Sequence, residues 1–340
     1  MHPDHPASPL TSSRSSKALA LPCSAARWVR SVLPLAACVL TGCLPGDTRP
    51  VPESFYVSVE PSEALRSGFD TDDGWHITFD RLVAAVGNID FMWEDTSCNT
   101  YAEARYDRLF DFTRIEREKV GTAYGIGTCR VEFRLRSPSL DTILGAGVTQ
   151  KDVETMRQRG TDRFATDEQV SVMVTGRATR EGVEKRFDWR FRRSYEMSNC
   201  KAEEGGFITT VELSENGASE MRLELRAEEL FRVTAEEESG FHFQPLADAD
   251  TDGDGAVTFD ELSKVEVTPG PLGGTGGEGG GTGGGLGSGA GQPSGPIGPI
   301  DIPGTPATLE SQIYVYLLPR ILRVAGGGTC EIEHRDSYRR

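Results

Sequence analysis

Residues 170–192 read V-S-V-M-V-T-G-R-A-T-R-E-G-V-E-K-R-F-D-W-R-F-R. Val170, Val172 and Val174 take alternate positions on the way out, and Phe187, Trp189 and Phe191 take alternate positions on the way back. Arg186, Asp188, Arg190 and Arg192 fill the other phase of the returning arm, and Thr179–Gly182 lies between the two arms. Successive side chains of a strand point to opposite faces, so this period of two sends the apolar set to a core and the charged set to water. A glycine-bearing turn between two such runs predicts a β-hairpin.

The same alternation recurs outward from the hairpin. Phe55, Val57 and Val59 form one run, and Trp75, Ile77 and Phe79 another, with His76 on its polar face. Residues 82–92 continue with β character, broken at Gly87-Asn88, and Cys129, Val131, Phe133 and Leu135 alternate with Arg130, Glu132, Arg134 and Arg136. Ile208 with Val211 and Leu213, then Leu223 and Leu225, add two strands; Ile313, Val315 and Leu317 are read as another, bent at Pro319, and Thr329 to His334 as the last. One short helix is predicted over 150–159, capped by Thr149 with Asp152 three residues on, and stopped by Gly160. Eight to ten short strands separated by polar turns predict a mostly β fold, a β-sandwich-like domain, with α+β as the alternative. Trp75, Trp93 and Trp189 are read as core.

The chain carries 36 Lys and Arg against 52 Asp and Glu, a formal net charge of −16. Such a surface repels phosphate backbones, so no nucleic-acid partner is expected. It suits cations, although most carboxylates simply face solvent.

The first 43 residues read as an address. Arg27 and Arg30 flank a short apolar run from Ser31 to Leu40. That run is too short to cross a bilayer, which needs about 20 residues, and has the length of a signal-peptide core. Residues 1–25 are polar and proline-rich, unlike the usual start of a signal, and point to translation beginning downstream, near Val29. Leu40-Thr41-Gly42-Cys43 follows. It resembles a bacterial lipobox, in which the cysteine is diacylated and becomes the first residue; an ordinary secretory signal is the alternative. The resemblance implies lipidation of Cys43 and a membrane anchor, and Leu44, not being Asp, points to the outer membrane. Residues 44–53 then form a tether, 54–268 the β-rich domain, 269–306 a glycine-rich disordered linker, and 307–340 a C-terminal strand returning to the domain. From Gly270 to Gly298, 16 of 29 residues are glycine, and such a composition cannot bury enough surface to order itself.

Cys23 and Cys38 leave with the signal, so Cys98, Cys129, Cys200 and Cys330 remain. An even number in an exported domain predicts two disulfides with three possible connectivities. The expected pairing is Cys98–Cys129, closing a local loop, and Cys200–Cys330, tying the last strand back across the glycine tract. No pair has C-x-x-C spacing and histidines are few, which argues against zinc.

Residues 250–261 read D-T-D-G-D-G-A-V-T-F-D-E and fit D-x-[DN]-x-[DN]-G-x₅-E at every position. Ca²⁺ is a hard ion that takes six to eight oxygens, and this spacing delivers them. Asp250, Asp252 and Asp254 offer carboxylates, Gly255 allows the sharp turn, Ala256 offers its carbonyl, Thr258 acts through a water, and Glu261 closes the shell with both oxygens. Val257 packs inward or pairs with a second loop. A frame starting at Asp248 fails because Phe259 would fall on the last position. Pro245 limits the incoming helix to about one turn, and the outgoing one, Phe259 to Lys264, is as short. The loop resembles the solitary EF-hands of extracellular bacterial proteins rather than calmodulin, which implies a structural ion rather than a switch.

No G-x-S-x-G or H-E-x-x-H sequence occurs, and the G-x-G-x-x-G matches fall in the glycine tract, with no strand before and no helix after. Taken whole, the chain resembles β-rich bacterial envelope lipoproteins. The resemblance implies location and calcium but no reaction. The expectation is a lipid-anchored, calcium-binding envelope protein, non-enzymatic, binding a ligand, an envelope protein or a glycan. One alternative is a carbohydrate-active or other envelope hydrolase working with two carboxyls. Another is a periplasmic metal carrier.

Overall fold

The computed structural model describes residues 50–92, 98–160, 164, 169–202, 206–215, 217–234, 239–267 and 308–334. The expected signal with Cys43, most of the tether, Trp93 and the glycine-rich segment 269–306 lie outside the described residues.

The hairpin forms where the sequence places it. Strands Val172–Arg180 and Val183–Phe191 pair antiparallel from Val172↔Phe191 to Arg180↔Val183. The two turn residues, Glu181 and Gly182, both have positive φ (50° and 83°), the conformation whose twist suits a two-residue hairpin. Val172, Val174, Phe187, Trp189 and Phe191 are buried and Asp188 and Arg190 exposed.

The fold is mostly β, as the alternation predicts, and its strands form one curled mixed sheet. The 19-residue strand Glu118–Arg136 turns the corner. Its first half pairs with Glu53–Pro61 (Tyr124↔Ser54) and its second half with His76–Met92 (Leu135↔Val86). Gly127, at φ 94°, lies between these two stretches of pairing, a backbone angle that costs glycine nothing. Glu53–Pro61 also pairs parallel with Ala218–Leu225, so the sheet is mixed. Sandwich-like enclosure is therefore achieved by curling one sheet around a core to which Phe55, Val86, Phe133, Trp189 and Leu223 all contribute.

Three segments differ from expectation. The strand His76–Met92 runs through Gly87-Asn88 instead of breaking there. Its register shifts at that point and Asn88 adopts φ 51°, so the interruption is a bulge, with an asparagine tolerating the left-handed angle. The run Ile313–Leu317 is helical, not a strand: Leu309–Ser311 is α, Gln312–Leu317 a π-turn and Leu318–Arg320 a 3₁₀ turn. Thr308 caps it, accepting from the Ser311 amide at 3.2 Å. Leu309, Ile313, Tyr314, Leu317, Leu318 and Ile321 are buried. That spacing is helical, while the odd-numbered residues alone mimicked a strand; a short apolar run fits either period. The segment nonetheless returns to the sheet, through Leu322–Val324 and Glu331–His334. Finally, Ala104–Asp111 is a strand paired with His76–Met92 that the sequence reading passed over.

The short helix covers Gln150–Met156, ending a turn before Gly160. Its capping box is made as expected, with the Thr149 amide donating to Asp152 Oδ2 at 2.7 Å. Val153 and Met156 cover Val83, Ala85 and Leu109 in a second, smaller cluster. Arg81 donates to Asp152 Oδ1 at 2.8 Å. Burial pushes the Asp152 carboxyl up, and Arg81 and Thr149 overcome it, so the group sits below its usual value.

Both disulfides pair as expected, Cys98–Cys129 and Cys200–Cys330. Such bonds persist in oxidising compartments, which supports an extracytoplasmic setting. Among the described residues no helix is long and apolar enough to cross a membrane.

Candidate functional site: a carboxylate loop locked to the hairpin

The loop 250–261 lies along the outer edge of the hairpin's returning strand, beside Lys185–Phe187. Asp73, from the turn before strand His76–Met92, accepts from the amides of Phe243 and Gln244 at 2.9 and 2.7 Å, and so caps the one-turn helix Gln244–Ala247. Trp75 donates from Nε1 to Gln244 at 3.1 Å. The outgoing helix Phe259–Leu262 is likewise one turn, as Pro245 and the short pattern predict. Each flank sets a phenylalanine on the aromatic face of the sheet: Phe243 against Trp75 (5.2 Å between centroids) and Phe259 against Phe191 (5.2 Å).

Ala256–Val257 forms a two-residue strand that pairs parallel with the hairpin (Ala256↔Arg186, Val257↔Phe187). The Arg186 amide donates to the Gly255 carbonyl at 2.8 Å. Trp189 Nε1 donates to the Val257 carbonyl at 2.9 Å. Val257 is therefore buried, and its backbone joins this chain's own sheet rather than a second loop.

The turns of the loop hold the carboxylates together. Asp250 accepts from the amides of Gly253 (2.8 Å) and Gly255 (3.0 Å), Asp252 from Asp254 (3.1 Å), and Asp254 from Ala256 (2.7 Å). Gly253 and Gly255 both have positive φ (74° and 80°), which fits glycine at these positions. One oxygen each from Asp250, Asp252 and Asp254 lies within 4.8 Å of the others, so the triad could hold a metal ion. The donors are all oxygens, the set preferred by hard cations. The cysteines outside the signal region are all in disulfides, so soft ligands are absent from this group.

The other sequence-predicted residues stand around the triad rather than within it. Thr258 caps the outgoing helix, and its amide and hydroxyl donate to Glu261 Oε2 at 2.9 and 2.8 Å. Glu261 Oε1 is buried with no hydrogen-bond partner, in a residue 8% exposed. An orphaned carboxylate oxygen in the interior is costly unless something else binds it. Its location at the last position of the motif fits a cation ligand.

Sequence reasoning missed Lys185. Its ammonium pairs with Asp250 Oδ2, and the Asp250 side chain is fully covered. Lys185, opposed by burial and helped by the Gly255 and Gly253 amides, holds the Asp250 carboxyl below its usual range. The signal was present but unread: Lys185 stands in the same phase as Phe187, Trp189 and Phe191, where a core residue is expected.

A separate groove of about 330 Å³ lies between residues 230–234, Leu246, Val267 and the C-terminal helical segment. Its lining is mainly apolar and holds no carboxylate, so it lacks the acid–base pair the hydrolase alternative requires.

Comparison with family models, curated proteins and solved structures returns no match for this chain.

Proposed function

We propose that this protein is a lipid-anchored, calcium-binding protein of the bacterial envelope, in which a Ca²⁺ in loop 250–261 fastens a β-rich binding body. The observation that carries the reading is the loop itself. Three carboxylates are gathered by backbone turns, a fourth has an orphaned buried oxygen, and the loop is hydrogen-bonded into the sheet through Arg186 and Trp189. Ca²⁺ matches an all-oxygen donor set on a 12-residue loop better than Mg²⁺, which keeps its waters and demands a tighter octahedron. Asp250, Asp252, Asp254 and Glu261 supply carboxylates, Ala256 a carbonyl and Thr258 a water-mediated contact. Because the loop's flanks are single turns packed on the core, the ion acts as a fastener and not as a helix-opening switch. The body's role is to bind a ligand, envelope protein or glycan.

The anchor rests on Leu40-Thr41-Gly42-Cys43. Two or more acyl chains give stable attachment. Alkyne-palmitate labelling in a bacterial host checks it: label is expected on the wild-type chain and absent from Cys43→Ala.

The calcium reading is tested by thermal melts and calorimetry on residues 50–340 in Ca²⁺ and in chelator. A ligand that binds only the native state raises stability by mass action. Ca²⁺ is expected to raise Tm by several degrees, and the Asp250→Ala, Glu261→Ala double variant to lose the shift. Absence of both binding heat and Tm shift in the wild type would remove the reading.

A further inference from the structure

We propose that Lys185 is an internal counter-cation of the loop, competing with the bound ion for Asp250 and so setting the cation concentration at which the loop fills. The inference rests on the calcium reading above and deepens it.

Lys185 Nζ lies on Asp250 Oδ2, the oxygen that also accepts from the Gly255 amide. Asp250 Oδ1 has the Gly253 amide alone. The first ligand of the loop is thus already charge-compensated by the chain. The backbone beside Lys185 is tied to the loop, because the next residue, Arg186, is hydrogen-bonded to Gly255 and paired in register with Ala256. The other lysine near the loop, Lys264, pairs with Asp260, outside the triad. Asp252 and Asp254 are exposed, and their hydrogen bonds are to amides of the loop itself.

Two consequences follow from elementary electrostatics. Without an ion, Lys185 offsets the repulsion among Asp250, Asp252, Asp254 and Glu261, so the body stays folded with the loop preformed. With an ion, a second cation a few ångströms away opposes binding. Affinity is therefore held down, in the range of extracellular calcium modules, with Kd about 10⁻⁴–10⁻³ M. Such a site fills at the calcium levels outside a cell and empties at those inside.

The test is calorimetric titration of residues 50–340 with Ca²⁺, for the wild type, Lys185→Met and Lys185→Arg, alongside melts in chelator and in excess Ca²⁺. Lys185→Met is expected to bind Ca²⁺ on the order of tenfold more tightly. It should melt below the wild type in chelator and gain more from Ca²⁺. Lys185→Arg keeps the charge and should stay near wild-type affinity. If Lys185→Met does not fold, Lys185→Gln repeats the comparison with a polar side chain of similar length. A folded neutral variant with unchanged or weaker Ca²⁺ affinity overturns the Lys185 assignment while leaving the calcium loop standing. Absence of Ca²⁺ binding in the wild type and in every variant overturns both.

Discussion

Replacing Cys200 and Cys330 by serine opens the larger of two crosslinked loops, and the structure allows its effect to be ranked against the smaller one. Cys200–Cys330 spans 130 residues and Cys98–Cys129 spans 31, and the two loops do not overlap along the chain. Treating the crosslink as a restriction of the unfolded chain gives about 5 kcal/mol for the first and about 3.7 kcal/mol for the second at 25 °C. Their difference is about 1.3 kcal/mol, close to a tenfold change in the folding constant. Other native contacts at the larger bridge do not run through its sulfurs. Glu331–His334 pairs with Tyr195–Ser198, the Lys201 amide reaches the Thr329 carbonyl at 3.1 Å, and Asn199 donates to Glu331 at 2.8 Å. Each double variant also buries serines where half-cystines stood, at Cys129 and Cys200, so that local cost largely cancels in the comparison. Urea unfolding of residues 50–340, followed by the fluorescence of the buried Trp75 and Trp189, measures both. Cys200→Ser/Cys330→Ser is expected to lose more stability than Cys98→Ser/Cys129→Ser. Equal losses, or the reverse order, would show that strain or local packing governs these bridges and would refute the loop-length argument.

Three further outcomes follow from particular contacts. Trp189→Phe leaves the Val257 carbonyl without its indole donor, which should cost about 1–3 kcal/mol in urea unfolding and weaken Ca²⁺ binding measured by calorimetry, since Val257 lies between two proposed ligands. Unchanged calcium affinity would separate the loop from the sheet. Glu266 and Thr308 are bridged, and the Leu309 amide donates to the Val265 carbonyl at 3.1 Å, so the 41 residues between them leave and return at one place. Deleting 270–298 should therefore preserve the fold and raise stability by about 1 kcal/mol through the smaller loop-closure cost; a collapse in stability would show that the tract makes contacts the body needs. Asp152→Asn should lower stability at neutral pH by no more than about 1 kcal/mol, because Arg81 is partly exposed. The Asp152 carboxyl is depressed in the native state, so its contribution is present above the ordinary value of 3.8 and lost as pH falls through the lower native one. The gap between variant and wild type should close in acid, and a gap that widens there would sink the assignment.

Much of this protein could be read from the order of its residues, because the rules involved are local. Alternation of period two places the hairpin 172–191 and the strands around Val57, Ile77 and Phe133, since a pleated strand exposes every second side chain to the same face. The spacing of Asp250, Asp252, Asp254 and Gly255 places a carboxylate turn, since the loop closes on itself within a few residues. The four cysteines limit the disulfides to three connectivities, and the folded chain decides among them in favour of the expected pairing. Other features needed the folded chain. Ile313–Leu317 satisfies a strand's period and a helix's equally well, and burial of Tyr314 settles it as a helix. Glu118–Arg136 reads as one short strand until both of its partners are in place. Lys185 is 65 residues from Asp250, and the curled sheet brings them together by setting residues 255–257 beside the hairpin. Short-range periodicity fixes which face a residue presents; what that face meets depends on chain segments distant in sequence, and only packing the whole sheet decides it.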